Sequence, residues 1–172
     1  IKIDTGMHRL GFEEEDIQEL ISVLKDHKSV QVKSILSHLA TSDDISQKEF
    51  AIAQIKLFDD LSSKMMSELN IRPIRHILNT SGISNFPNSQ FSMVRLGIGL
   101  YGVSNDPEEQ KQLNNVGTLK SVISQIRTIE IGESVGYGRN YIAEKPRRIA
   151  TIPIGYADGI SRRWGNGVGY IT

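Results

Sequence analysis

The sequence predicts two successive kinds of structure, an α/β part over residues 1–105 and an all-β part over residues 106–172. In the first part, short apolar runs alternate with longer segments of helical periodicity. The strands recur roughly once every thirty residues, which is typical of βα units around a parallel sheet. In the second part helical periodicity is lost and glycines recur, which indicates β-strands joined by tight turns. The polar residues 106–112 lie between the two patterns and are interpreted as the domain connector.

Two amphipathic helices are predicted in the α/β part. The first covers residues 13–27, where apolar residues have the i, i+3, i+4, i+7 spacing of one helix face. The second covers residues 46–69 and opens on Ser46 and Glu49, which have the S-x-x-E form of a capping box. Predicted strands occupy residues 1–4, 30–36, 71–78 and 91–100.

The all-β part contains predicted strands over residues 119–131 and 148–154, which are separated by glycine-containing turns. Residues 169–172 have the composition of the start of another strand. The chain opens on Ile1 directly in a strand-like stretch and ends in a second one. We therefore expect it to be an internal piece of a longer protein.

Composition excludes several classes of function. Lys+Arg and Asp+Glu are equal at 20 each, with a pI of about 7.1, so we expect neither a nucleic-acid-binding nor a membrane-binding protein. The chain has no cysteine, which excludes disulfides, thiolate zinc sites and a cysteine nucleophile. We expect no metal site. The lack of cysteine also fits a reducing compartment, and we expect a cytoplasmic protein.

Polar residues follow the predicted strands, at the strand ends where α/β barrels form their sites. Lys2, Asp4 and Arg9 surround a glycine turn. An arginine there can bind two oxygens of a carboxylate or phosphate at once, although a Lys2–Asp4 pair in a charged loop explains the pattern equally well. His38 follows the second predicted strand and His76 lies in the third. Each, taken alone, is more often a hydrogen-bonded structural histidine than a catalytic one.

Three later positions are also candidates for chemistry. Residues 79–82 offer hydroxyls and backbone N–H groups to an anion, or they form an ordinary turn. Arg95 lies in an apolar predicted strand and needs a partner, because an unpaired buried cation is costly. Gly97 after it would let the backbone approach a phosphate closely. Tyr156 ends a strand of the all-β part and is a candidate general acid or base, with a tyrosine packed on a turn as the alternative.

Six ordered motifs carry a resemblance to a known family. They are K-x-D-T-G-M-x-R-L-G from Lys2, S-H-x-A-T-S-D from Ser37, H-x-x-N-T-S from His76, R-x-G-I-x-x-Y-G from Arg95, G-Y-G-R from Gly136 and I-G-Y-A-D-G from Ile154. In this order and spacing, the sequence resembles alanine racemases over essentially its whole length. That family belongs to the fold type III enzymes that use pyridoxal 5'-phosphate (PLP).

The resemblance implies a fold and a cofactor. The fold is the C-terminal half of a (β/α)8 TIM-type barrel, followed by the start of an all-β domain. The barrel part binds PLP, and Arg95 hydrogen-bonds the pyridine nitrogen of the cofactor. The other implied cofactor-binding residues are Thr80, Gly97 and Ile98 at the phosphate and Asn79, His38 and His76 around the ring.

The resemblance also implies a two-base interconversion of L- and D-alanine, which supplies D-alanine for peptidoglycan. Tyr156 exchanges a proton with the substrate Cα on one face and is offered by the other subunit of a homodimer. Arg9 lies near the substrate carboxylate, and His38 belongs to the network around the catalytic tyrosine. Lys2 matches a lysine that is carbamylated in some members, and the carbamate would orient Arg9.

The sequence also departs from the family. None of its lysines lies in the motif of the PLP-binding lysine, which belongs to the first barrel strand. We therefore expect this chain alone to be inactive and to lack the first half of the barrel. Alternatives for the whole protein are another fold type III racemase, of broader specificity or acting on serine, and a non-catalytic PLP-binding module. Residues 159–167 also resemble racemases fused behind a Mur-type cell-wall ligase domain.

Overall fold

The computed structural model describes residues 1–165 and 167–170. The chain divides into two compact units, Ile1–Gly117 and Thr118–Thr172. Residues 1–117 contain the helices α1 (Ile17–Asp26), α2 (Lys48–Leu69), α3 (Thr80–Asn85) and α4 (Pro107–Gln110) and the strands β1 (Ser34–Leu36) and β2 (Ile74–His76). The described residues contain no helix that is both long and apolar enough to cross a bilayer.

The two long predicted helices are confirmed as α1 and α2, but the predicted capping box is wrong. The Asp44 carboxylate accepts from the backbone N–H of Ser46 at 2.9 Å and from its hydroxyl at 2.6 Å. Asp44 thereby caps a 3-10 turn, Ile45–Gln47, that leads into α2. The aspartate two residues before Ser46 competes successfully because its carboxylate accepts two hydrogen bonds from this serine. At the other end, α2 stops at Asn70 in the left-handed conformation.

The parallel sheet of the first unit is short. β1 and β2 pair in parallel with Leu36 opposite His76. The predicted first strand is reduced to isolated bridges at Lys2 and Ile3. The strand predicted over residues 91–100 is wrong. In this segment the backbone N–H groups of Ser92 and Arg95 donate to the backbone carbonyls of Arg75 and Leu78, and a 3-10 turn follows at Ile98–Tyr101.

A single apolar core lies between the sheet and the helices of the first unit. Its fully buried members include Ile35 of β1, Ile21 of α1 and Phe58 of α2. Phe58 also packs edge-on against Phe91, with ring centroids 5.2 Å apart. Burying each large apolar side chain contributes about 1.5–3 kcal/mol. The core therefore holds the carboxyl ends of β1 and β2 next to one another.

The second unit is built from antiparallel strands, as the sequence predicts. β3 (Gln125–Ile129) pairs with β6 (Arg147–Thr151), and β4 (Ser134–Val135) pairs with β5 (Tyr141–Ile142). Short 3-10 turns follow at Tyr156–Asp158 and Arg162–Trp164. Of the strand start predicted at 169–172, residues 171 and 172 lie outside the described residues.

Candidate active site

The loop that carries Arg9 is organised by one carboxylate. Asp4 Oδ1 accepts from the backbone N–H groups of Gly6, Met7 and His8 at 2.8, 3.0 and 3.1 Å, and Oδ2 accepts from that of Arg9 at 3.2 Å. Partial burial acts to raise the pKa of Asp4, but these four donors outweigh it and lower the pKa below 3.8. Asp4 therefore shapes this loop and is not simply a partner for Lys2.

The loop returns to the sheet through a glycine that no other residue can replace without movement. Gly11 has φ +132°, and a Cβ added there would lie 2.6 Å from the backbone nitrogen of Asp4. Phe12 then pairs with the first strand, where its N–H donates to the Lys2 carbonyl at 2.9 Å. The close approach keeps both ends of the loop at the strand end.

Arg95 lies at the centre of the site and has the partners that the sequence analysis requires. Its Nη2 donates to the carbonyls of Ser37 at 2.7 Å and Ile77 at 3.1 Å, and its Nη1 donates to the carbonyl of His76 at 3.3 Å. Nη2 also lies 3.0 Å from His38 Nδ1, and Nη1 is hydrogen-bonded to His76 Nδ1. The guanidinium thus joins the residues that follow β1 to those that follow β2.

These contacts fix the protonation of both histidines. A guanidinium has only donors, so His38 Nδ1 and His76 Nδ1 must both be acceptors, and each neutral ring carries its proton on Nε2. Burial is the main cause that lowers the pKa of each histidine, and the charge of Arg95 lowers it further. For His38, the cations Arg9 and Lys2 act in the same direction. Burial also lowers the pKa of Arg95, which stays a cation because its ordinary value is 12.5.

One donor of Arg95 is left for a ligand. Within the described residues, Nε of Arg95 has no protein acceptor, whereas Nη1 and Nη2 have five contacts between them. No buried side-chain nitrogen or oxygen of the described residues lacks a partner, so this Nε–H is reachable from solvent. A fixed cation with one accessible N–H suits an unprotonated aromatic ring nitrogen.

Thr80 and the glycines after Arg95 come together, as the sequence predicts for an anion site. The Thr80 hydroxyl accepts from the backbone N–H of Gly97 at 2.9 Å and from that of Gly99 at 3.3 Å. Ile98 lies between these glycines and begins the 3-10 turn. The Thr80 oxygen thus uses the N–H groups of Gly97 and Gly99, and the Thr80 hydroxyl proton and the Ile98 N–H are the donors left here for an anion.

The side-chain oxygen of Asn79 has two contacts within the first unit. Its Oδ1 accepts from the N–H of Gly82 at 3.0 Å and from the hydroxyl of Ser42 at 2.8 Å. It therefore caps α3 and ties that helix to the segment after β1. Asn85 strengthens the same link, since its Nδ2 donates to the Ser42 carbonyl at 2.8 Å.

Tyr156 belongs to the second unit and begins the 3-10 turn there. It is 66% exposed, and the Arg162 guanidinium carbon lies 4.6 Å from its ring centroid. The first unit brings together Arg95, His38 and His76, with Thr80 and Gly97 beside them. Tyr156 lies in the second unit.

One buried polar residue behind the site, Gln54, is not among the residues predicted from the sequence. Gln54 of α2 is 1% exposed and contacts the residues after the first strand and after β1. It lies three residues after Ala51 and four before Phe58, on the apolar face of the helix. A polar residue at an apolar-face position of a predicted helix is the feature of the sequence that could have identified Gln54.

One surface cleft of the first unit has no part in this site. Its volume is about 430 Å³, and it lies at the opposite ends of β1 and β2, between the C-terminal ends of α1 and α2. Its lining includes Lys28 and Arg72 but none of the predicted site residues. The hydrogen-bonded cluster around Arg95, not the size of a cleft, therefore identifies the candidate site.

Comparison with known proteins matches both parts of the chain to one family. The family model described as the N-terminal domain of alanine racemase matches residues 1–105, and the model described as the C-terminal domain matches residues 116–172. An alanine racemase of Fusobacterium nucleatum is 38% identical over 99% of this chain. The chain spans about half the length of this curated relative, 47%.

Solved structures give the same result. The alanine racemase from a D-cycloserine-producing Streptomyces lavendulae is similar with a TM-score of 0.84 and 32% identity, covering 94% of this chain and 44% of that one. The alanine racemase from Bartonella henselae with covalently bound pyridoxal phosphate has a TM-score of 0.74 and 32% identity, covering 95% and 44%. The predicted fold class, part of an α/β barrel followed by the start of a β domain, is confirmed.

Proposed function

This chain belongs to the alanine racemase family, and we propose that the whole protein is a PLP-dependent racemase that interconverts L- and D-alanine. The observation that carries the proposal is the Arg95 cluster, which offers one accessible N–H from a permanently charged, rigidly held arginine. We assign residues 1–105 to the PLP-binding domain and residues 106–172 to the C-terminal domain.

The residues present fit the cofactor. The Arg95 Nε–H would donate to the pyridine nitrogen and, as a cation, would keep that nitrogen unprotonated. Thr80 and Ile98 would donate to the phosphate through a hydroxyl and a backbone N–H, and Gly97 would do so if its N–H turned from the Thr80 oxygen to the phosphate; the contacts that gather these groups support the assignment. When bound, PLP supplies an electron-withdrawing group that makes the α-proton of an amino acid acidic.

Proton transfer is assigned to residues of both units. Tyr156 moves a proton to or from the substrate Cα on one face, and its exposure leaves the hydroxyl free to meet a substrate. Arg9 binds the substrate carboxylate, and carbamylation of Lys2 would orient it. His38 and His76 hold Arg95, and Asn79 supports the segment beside them. The opposite face would be served by the family's PLP-binding lysine, whose motif none of the lysines in this sequence matches.

The distribution of charge supports a homodimer. Residues 118–172 contain eight Lys and Arg against four Asp and Glu, whereas residues 1–117 contain twelve against sixteen. Opposite charges on the two units favour association of one copy's second unit with the first unit of another. A dimer of this kind would bring Tyr156 of one copy to the Arg95 cluster of the other. D-Alanine made in the cytoplasm would then serve peptidoglycan synthesis.

The test uses the full-length protein with L-alanine in heavy water. We expect exchange of the α-proton and formation of D-alanine. Tyr156→Phe should reduce racemisation by roughly 100- to 10,000-fold, the usual contribution of a general acid–base group, and leave PLP bound. Tyr170→Phe is the matched control, because Tyr170 is an exposed tyrosine of the same unit. Wild-type protein that binds PLP without exchanging the α-proton would refute the racemase assignment.

A further inference from the structure

We propose that Gln54 is a positioning residue of this site, which holds from behind the two loops that carry Arg9 and His38. The kinetic consequences of this inference rest on the proposed function, whereas the contacts of Gln54 rest on the structure alone. Gln54 lies on α2, outside all six sequence motifs, so the family resemblance does not single it out.

The side chain of Gln54 is enclosed, and both ends of its amide are used. Oε1 accepts from the backbone N–H of Ala40 at 2.9 Å. Nε2 donates to the carbonyl of His38 at 3.3 Å and to the hydroxyl of Thr5 at 3.5 Å. The Thr5 hydroxyl in turn lies 2.8 Å from that of Ser37. One side chain thus joins the end of the first strand to the segment after β1.

These partners also set the orientation of the amide. A flipped amide would place its N–H groups against the N–H of Ala40 and its oxygen against the carbonyl of His38, so that both contacts would be lost. A buried amide without partners is unfavourable, so the amide is held in the one orientation that satisfies both of its ends. That orientation fixes the geometry of two backbone segments relative to α2.

The held segments are those that carry the chemistry. The clamp on the His38 carbonyl fixes its backbone, and the ring Nδ1 then lies 3.0 Å from Arg95 Nη2. Thr5 directly follows Asp4, whose carboxylate shapes the loop up to Arg9. Release of Gln54 would loosen both segments without removing any group that meets substrate or cofactor.

The experiment compares three variants of the full-length protein. Gln54→Met removes every polar contact at similar volume. Gln54→Glu keeps an acceptor for Ala40 but loses the donor to His38. Ser62→Ala is the matched control. It removes another fully buried polar group of α2, whose partners are Asp59 and Arg75.

We expect both Gln54 variants to lower kcat by about 10- to 100-fold, the scale of a small misplacement of catalytic groups, with PLP still bound. The histidine titration separates positioning from stability. His38 faces the cations Lys2, Arg9 and Arg95. A ring freed from Arg95 should titrate at higher pH, measured by NMR of labelled histidine, whereas Ser62→Ala should leave this titration unchanged.

Two outcomes would overturn the inference. One is a loss of stability in the Gln54 variants with unchanged kcat and unchanged His38 titration, as expected of a purely structural residue. The other is the same change of titration in Ser62→Ala. If the wild-type protein fails to racemise alanine, the proposed function falls, and the His38 titration still decides the role of Gln54.

Discussion

Replacing Arg95 by methionine should have two separate effects, because this side chain is both a hydrogen-bond donor and a charge. Methionine keeps an unbranched apolar side chain and removes all five polar contacts of the guanidinium. The carbonyls of Ser37 and Ile77, in residues that are 1% and 0% exposed, then lose this donor. His38 and His76 lose the cation beside their rings.

The structure sets the size of both effects. An unsatisfied buried carbonyl costs about 1–3 kcal/mol, so two of them lower the free energy of unfolding by about 2–6 kcal/mol. The pKa of each histidine should rise in the variant because the neighbouring charge is gone. It should stay below 6.5, because burial, the larger cause of the shift, remains.

These pKa values also give the pH dependence a sign. In the wild type, the lowered histidine pKa values contribute stability that is present above pH 6.5 and lost as the pH falls from there through the folded-state values. The variant should lose less stability over the same range. Urea unfolding of the full-length protein at several pH values, with NMR titration of labelled histidine, measures both effects.

Arg75→Met is the matched control. Arg75 also has several partners, since it donates to Asp59 at 2.5 Å and lies over the Phe91 ring at 4.7 Å. Its ion pair reaches water, with Asp59 53% exposed, so we expect a cost of about 1 kcal/mol or less from that pair. Equal losses of stability in the two variants, or histidine pKa values unmoved in Arg95→Met, would refute this reasoning.

Three further changes probe the loops around the site. Asp4→Ala should lower the free energy of unfolding by about 1–3 kcal/mol, and Asp4→Asn by about half as much, since asparagine keeps one acceptor oxygen. Because the Asp4 pKa is lowered in the folded state, the wild type should lose stability as the pH falls below 3.8, whereas Asp4→Asn should lack this part of the pH dependence; acid unfolding measures both. Thr80→Val should weaken PLP binding by about fivefold to tenfold in a fluorescence titration, and Thr80→Ser should restore it. Gly11→Ala should lower the free energy of unfolding by about 2 kcal/mol or more, measured by thermal unfolding. Gly132→Ala, also at positive φ but with nothing near the added Cβ, should lower it less.

Sequence reasoning reached the two helices, the two-part organisation and the family because those depend on local patterns and ordered motifs. It also predicted that Arg95 must have a partner, since the cost of an unpaired buried cation is independent of the fold. It overestimated the strand over residues 91–100. Apolar composition gives no account of Gly97 and Gly99, which turn the chain into a 3-10 helix after the backbone hydrogen bonds of Ser92 and Arg95.

The contacts of the site could not be predicted, because they join residues far apart in the sequence. Asp44 takes the place of the expected cap, and Asn79 also caps α3 and contacts Ser42. Gln54 reaches Thr5 across 49 residues. Spacing reports which residues share a face of one element, and only the packing of two elements decides which of them meet.

The way Arg95 is held determines which neighbouring residues can be substituted without loss of its hydrogen bonds. Three of its five contacts are main-chain carbonyls, of Ser37, His76 and Ile77, which remain whatever side chain those positions carry. Substitution at Ser37 or Ile77 can alter packing but cannot remove the acceptors. Side-chain changes at Ser37 and Ile77 therefore leave these acceptors in place, whereas replacement of Arg95 itself removes all three hydrogen bonds at once.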